Sequence, residues 1–129
     1  MICKVRNDLD ITAAWPHLVV VASEGLDVSS RTGYCTNYNY YRVENGQLAD
    51  SQNLPAKGKV DEKYARIFSQ FGVDVVVVSD IGDHACRSFT DRGITIARGA
   101  KGRAIEAAQD FLDGKLDVTT PTPPTETVA

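Results

Sequence analysis

Three side chains in this sequence combine soft-ligand chemistry with close spacing or a shared placement: Cys35, and the pair His84 and Cys86 two residues apart. Thiolate and imidazole are the groups that iron-sulfur clusters and soft transition metals take from proteins. Residues two apart project to the same side only on extended backbone, so His84 and Cys86 can share a metal if the chain stays extended there. The competing reading packs Cys86 beneath a helix as a small apolar residue and leaves His84 in solvent. The third cysteine, Cys3, stands with Trp15 and His17 in an N-terminal stretch where packing accounts for all three. Three cysteines without zinc-site spacing define no disulfide framework.

A second set is cationic. Arg98, Lys101 and Arg103 surround Gly99 and Gly102 at the expected start of a helix, where unpaired N–H groups and the helix dipole favour anions. Arg31 would join them from a separate loop. An anionic cluster or an organic acid suits such a place, and a plain strand-to-helix turn with solvated charges explains the same residues. Gly-Ala-Lys-Gly is not a Walker motif. A third set is acidic: Glu24, Asp80 and Asp83 at adjacent strand ends are the kind of group that holds a divalent metal for phosphoester hydrolysis. This set is the weaker one, since Asp80 and Asp83 have a simpler explanation as capping residues of a helix N-terminus.

These sets need a scaffold that brings separate loops together, and the scaffold starts at Val75-Val-Val-Val78. Four consecutive valines have no polar face, so the strand they form is covered on both sides, as a central parallel strand is. His17-Leu-Val-Val-Val-Ala22 reads as a second buried strand, and Ser23 to Gly33 as the polar, glycine-punctuated loop that leaves it. Asn45-Gly46 between strand-like runs predicts a hairpin, with strands from about Asn37 to Glu44 and Gln47 to Gln52. Asn53 to Gly58 then reads as a connection. Val60, Tyr64, Ile67, Phe68 and Phe71 fall on one helical face closed by Gly72. A short helix ending at Gly93, a strand Ile94 to Arg98, and a helix with Ala104, Ile105, Ala108, Phe111 and Leu112 on one face complete the order, with Gly114 as its cap.

The result is an α/β domain with a mixed five-stranded sheet and helices on its faces, in which right-handed crossovers make the first, fourth and fifth strands parallel neighbours. Their carboxyl ends share one crevice, the usual ligand position of an open α/β sheet. It gathers loops 23–36, 80–86 and 98–103. Residues 1–16 form an extension of unassigned structure, 17–117 the domain, and 118–129 a disordered or extended Pro/Thr-rich tail.

The bulk numbers narrow the function. At 129 residues the chain holds one core. A net charge of -3 with both signs interspersed argues against a nucleic-acid partner. No stretch approaches the ~20 apolar residues of a membrane span, and the charged N-terminus is no secretory signal, which places the protein in the cytoplasm.

Several segments resemble a known family, the iron-molybdenum cofactor biosynthesis and nitrogenase accessory domains of the NifX, NafY and NifB C-terminal type. The likeness runs from about Val19 to Leu116. It rests on Val28-Ser29 and Gly33 in a loop the family writes roughly as V-S-E-H-F-G, and on the tyrosine-rich strand with its Val43-Glu-Asn-Gly46 turn. It continues through Gly72 to Val78, the turn Asp80-Ile81-Gly82, Gly93-Ile94, Gly99-Ala100 and Phe111-Leu-Asp-Gly-Lys-Leu116. The resemblance implies a three-layer α/β/α domain with a ribonuclease-H-like sheet. It also implies a non-enzymatic accessory protein that binds or carries an iron-sulfur-derived cluster of iron-molybdenum cofactor type, with a cofactor-synthesis or recipient protein as partner. Ser29, Arg31, Gly33, Asp80, Gly82, Arg98, Gly99, Lys101 and Arg103 are the expected cofactor-binding residues, and Cys35, His84 and Cys86 the expected metal ligands. Arg31 stands where the family's loop carries a histidine, Thr32 where it carries an aromatic residue, and Asp80 where the later turn carries its first glycine.

Overall fold

The computed structural model describes residues 15–121. In chain order the elements are β1 (Leu18–Glu24), β2 (Asp27–Val28), β3 (Tyr34–Glu44), β4 (Gln47–Lys59), α1 (Glu62–Gln70), β5 (Val75–Val77), α2 (Asp83–Thr90), β6 (Thr95–Arg98), α3 (Ala104–Leu112) and β7 (Asp117–Thr119). One mixed sheet runs in the order β4-β3-β1-β5-β6-β7, with β2 paired to the end of β1. As expected, β1, β5 and β6 are parallel neighbours, with Val20 opposite Val76 and Val76 opposite Ile96. The other pairings are antiparallel.

The valines explain the layering. Val20, Val76 and Val78 face α1 and α2, where they meet Ala65, Phe68, Cys86 and Phe89. Val19, Val21, Val75 and Val77 face α3, where they meet Ala104, Ala107, Ala108 and Phe111. A strand with apolar residues on both faces is stable only between two such layers. Phe68 is the hub of the first layer, edge-to-face with Tyr38 at 4.9 Å and with Tyr40 at 5.9 Å between ring centroids.

Seven strands replace the five expected among the described residues, for reasons that are tertiary. β2 lies inside the Ser23–Gly33 loop and is two residues long; it exists because Ser23 and Glu24 offer Val28 and Asp27 a ladder. β7 occupies residues assigned to the end of the domain and the start of the tail. Its three exposed residues pair with Ile96 to Arg98. The remaining tail, from residue 122, and the N-terminal stretch up to residue 14 lie outside the described residues. β4 runs on through the expected connection to Lys59, carrying Pro55 with it. A proline is tolerated there because β4 is the edge strand, with no further neighbour to need its missing N–H.

Candidate functional site

The loops at the carboxyl ends of β1, β5 and β6 are joined by backbone hydrogen bonds. The Gly33 N–H donates to the Asp80 carbonyl at 3.1 Å, the Gly99 N–H to the Ser79 carbonyl at 3.0 Å, and the Val28 N–H to the Gly102 carbonyl at 2.8 Å. The Ala104 N–H, in the first turn of α3, donates to Leu26 at 2.8 Å. The crevice expected from the strand order is thus a continuous rim. Its centre lies between β1 and β5, where one chain path turns to the hairpin and the other to α2 and β6; open α/β sheets bind ligands at such a switch.

Arg31 is exposed on this rim. Its Nε lies 3.0 Å from Glu24 Oε2, and its guanidinium sits 4.7 Å over the Tyr34 ring. Ser29 is buried beneath it, with its hydroxyl 2.7 Å from the Tyr34 carbonyl and 3.2 Å from Glu24 Oε2. Gly33 holds φ +63, a left-handed conformation that glycine adopts without steric cost and that brings its N–H onto Asp80. Gly82 is the N-cap of α2 and has no side chain to bond the first-turn N–H groups. Arg103 occupies the same position on α3, also without a side-chain cap bond. Neither helix has a side-chain cap, but the Ala104 N–H of α3 is already taken by the Leu26 carbonyl, so the open amide end at the rim is that of α2.

The structure divides the expected cationic set. Arg98 points to the α2 side, lining a groove of about 380 Å³ with Asp83, Cys86, Arg87, Thr90, Asp91 and Thr119. Its Nε is buried without a partner, and its Nη2 lies 3.9 Å from Asp83. Arg103 lies on the other side, its Nε 4.0 Å from Asp27. Lys101 and Gly99 are exposed on the rim between them. Each arginine of the set therefore faces an acid from a neighbouring segment: Arg31 with Glu24, Arg98 with Asp83, Arg103 with Asp27.

The thiol and imidazole set does not converge in this conformation. α2 begins at Asp83, so His84 and Cys86 stand on helical backbone and turn apart: His84 is exposed, Cys86 is buried against Phe89 and the sheet. Cys35 belongs to β3 rather than to a loop and is fully buried, with its Sγ 3.8 Å from the Ala56 carbonyl. Burial raises the pKa of its thiol above the ordinary value, opposite to what a thiolate ligand requires. Among the described residues no three His, Cys, Asp or Glu side chains are grouped to hold a metal ion. That includes Glu24, Asp80 and Asp83, so the hydrolase reading has no metal site there. Cys3 lies outside the described residues. The donors at the rim suit an anion held by charge and hydrogen bonds, and do not suit a cluster bound through Cys35 and Cys86.

Sequence reasoning passed over the polar network that supports the rim. Asn39 Nδ2 donates to Ser23 Oγ and to the Gly25 carbonyl, each at 2.9 Å, while Asn37 accepts the Gly25 N–H at 2.7 Å and donates to Gly25 O at 2.9 Å. All three side chains are buried. Two asparagines at alternate positions of a strand whose other residues on that face are apolar were the available signal, since a buried amide needs partners.

The dinitrogenase iron-molybdenum cofactor family matches residues 17–114. The chain belongs to this family. Over 95 residues it is 26% identical to an uncharacterized protein of Methanocaldococcus jannaschii, covering 70% of this chain and 80% of the relative. Among solved structures, a putative NifB protein from Thermotoga superposes with a TM-score of 0.66 at 24% identity, covering 84% of this chain and 98% of the other. The apo form of the orange protein from Desulfovibrio gigas superposes with a TM-score of 0.61 at 19% identity, covering 83% and 97%. At these identities the structures establish a shared fold. No helix among the described residues of this family member is long and apolar enough to cross a membrane.

Proposed function

We propose that this member of the iron-molybdenum cofactor family is a non-catalytic accessory protein that binds or carries an anionic metal-sulfur cluster of iron-molybdenum cofactor type, or a related anion, on the rim at the carboxyl ends of β1 and β5. The observation that carries the reading is the Gly33–Asp80 backbone bond, which fixes the Arg31 loop beside the uncapped start of α2. Ser29, Arg31, Gly33, Asp80 and Gly82 form the core of the proposed site, with Gly99, Lys101 and Arg103 along its flank and Arg98 on the α2 side. The cargo is held as an intact anion by the guanidinium and backbone N–H groups; Cys35, His84 and Cys86 are not assigned as its ligands. A shallow, exposed site of this kind suits release to a cofactor-synthesis or recipient protein in the cytoplasm.

The test is direct. The protein, purified without air, is equilibrated with isolated iron-molybdenum cofactor and desalted, and co-eluting molybdenum, iron and sulfide are measured. Retention that survives Cys35→Ala and Cys86→Ala but falls in Arg31→Ala is expected. Absence of bound metal and sulfide in the wild-type protein would overturn the reading.

A further inference from the structure

The two faces of the sheet are covered unequally. Helices α1 and α2 pack on one face, and among the described residues α3 alone packs on the other. Three of the five large apolar side chains exposed among the described residues lie along α3: Trp15 at 52%, Ile105 at 51% and Leu26 at 64%. Trp15 meets Phe111 near the end of the helix, edge-to-face at 6.2 Å between ring centroids. Leu26 stands at its start, where the Leu26 carbonyl takes the Ala104 N–H. Between them Ile105 and Gln109 face Gln47 and the half-buried Leu48 across a shallow groove between α3 and the start of β4. A contiguous apolar stripe of this kind marks a surface on which a further element packs.

The path of the chain names the occupant. Trp15 is the first described residue, so residues 1–14 reach this face at Phe111. In those residues Ile2, Val5 and Leu9 recur at i, i+3 and i+7, the spacing of one helical face, with Lys4, Arg6, Asn7 and Asp8 between them. We propose that residues 1–14 dock on the α3 face as an amphipathic helix that runs from Phe111 toward Leu26. The register of the two segments agrees with this path. Leu9 precedes Trp15 by six residues, as Ile105 precedes Phe111, and six residues of helix rise about 9 Å in either segment. With Trp15 on Phe111, Leu9 comes level with Ile105, and Val5 lies about 6 Å further along, toward Leu26. Ile105 and Leu48 then lose their contact with water, which is the driving force for the docking. The inference is separate from the rim reading, since neither needs the other.

Hydrogen–deuterium exchange of the full chain, read by mass spectrometry on peptides from residues 1–14, tests the docking, with light scattering of the same samples to give the mass of the particle. The backbone amides of residues 5–12 are expected to exchange about tenfold more slowly than in a synthetic peptide of residues 1–14. Leu9→Asp and Ile105→Asp, on opposite sides of the one contact, should each abolish that protection while the amides of β1 and β5 stay protected. Phe71→Asp, an equally exposed apolar position just after α1, should leave it unchanged. Emission from Trp15, the single tryptophan of the chain, should move to longer wavelength in the first two variants and not in the third. Exchange of residues 5–12 at the rate of the free peptide in the wild-type protein would overturn the proposal, as would protection that survives Ile105→Asp. Protection found only in a dimer and lost on dilution would give the face to a second copy of the chain and overturn it equally.

Discussion

The Gly33 N–H donates to the Asp80 carbonyl across 3.1 Å, and this bond, with a 3.5 Å contact from the Thr32 hydroxyl to the Asp80 carboxylate, ties the loop after β1 to the loop after β5. Gly33 can make it because its backbone holds φ +63. A Cβ added there meets no atom within 4 Å, so the cost of Gly33→Ala is conformational alone. The left-handed conformation costs a non-glycine residue about 1–2 kcal/mol. Gly33→Ala is expected to lower the unfolding free energy by that amount in urea titration. It should also weaken cargo retention by loosening Arg31, while far-ultraviolet circular dichroism stays native.

The two described cysteines should separate stability from binding. Cys35 is fully buried among Tyr38, Ala56 and Val60, and Cys86 is packed against Phe89. Removing a sulfur from either place leaves a small cavity, for which about 1–2 kcal/mol is expected by the scale of comparable one-atom core deletions. Chemical denaturation of Cys35→Ala and Cys86→Ala should show that loss. The molybdenum and iron retained by the folded variants should equal the wild-type amounts.

How far the sequence could be read follows from where its constraints are local. The valine run, the Asn45-Gly46 turn and the helical face of Tyr64, Ile67 and Phe68 each carry their own periodicity, and each element appears where expected. β2 and β7 have no such signal, since they exist only because a neighbouring strand offers hydrogen bonds. The start of α2 stays open in the sequence because His84-Ala-Cys86 is compatible with either backbone. The spacing of Cys86 and Phe89, three apart and both buried, marks the helical face. The rim residues were legible as chemistry and their pairing was not. Glu24 opposite Arg31, Asp83 opposite Arg98 and Asp27 opposite Arg103 depend on which loops meet, and that is set by the sheet.

Stability should decline in alkali through four named groups. Burial raises the pKa of the Cys35 thiol above 9.0 and those of Tyr38, Tyr40 and Tyr41 above 10.0. Each is an acid that the folded state holds in its neutral form. The unfolded chain therefore releases these protons first as pH rises, and the stabilisation present below the unfolded values is lost above them. Thermal melts are expected to be level with respect to these groups below pH 9 and to fall from there to pH 11. Cys35→Ala should shift the onset toward pH 10. The buried Tyr38 hydroxyl has only the weakly bonding Cys35 thiol beside it, so Tyr38→Phe should flatten the alkaline fall and cost little stability at neutral pH.

Asn39 links the sheet to the proposed site. Its amide donates to Ser23 Oγ and to the Gly25 carbonyl, and so holds the turn that orients Glu24 and Asp27. Asn39→Ala leaves the buried Ser23 hydroxyl without its donor, while the Gly25 carbonyl keeps its bond from Asn37, and urea unfolding is expected to show a cost of about 1–3 kcal/mol. Asn39→Asp keeps the size of the side chain but replaces a donor with a charge in a buried position, and is expected to cost more.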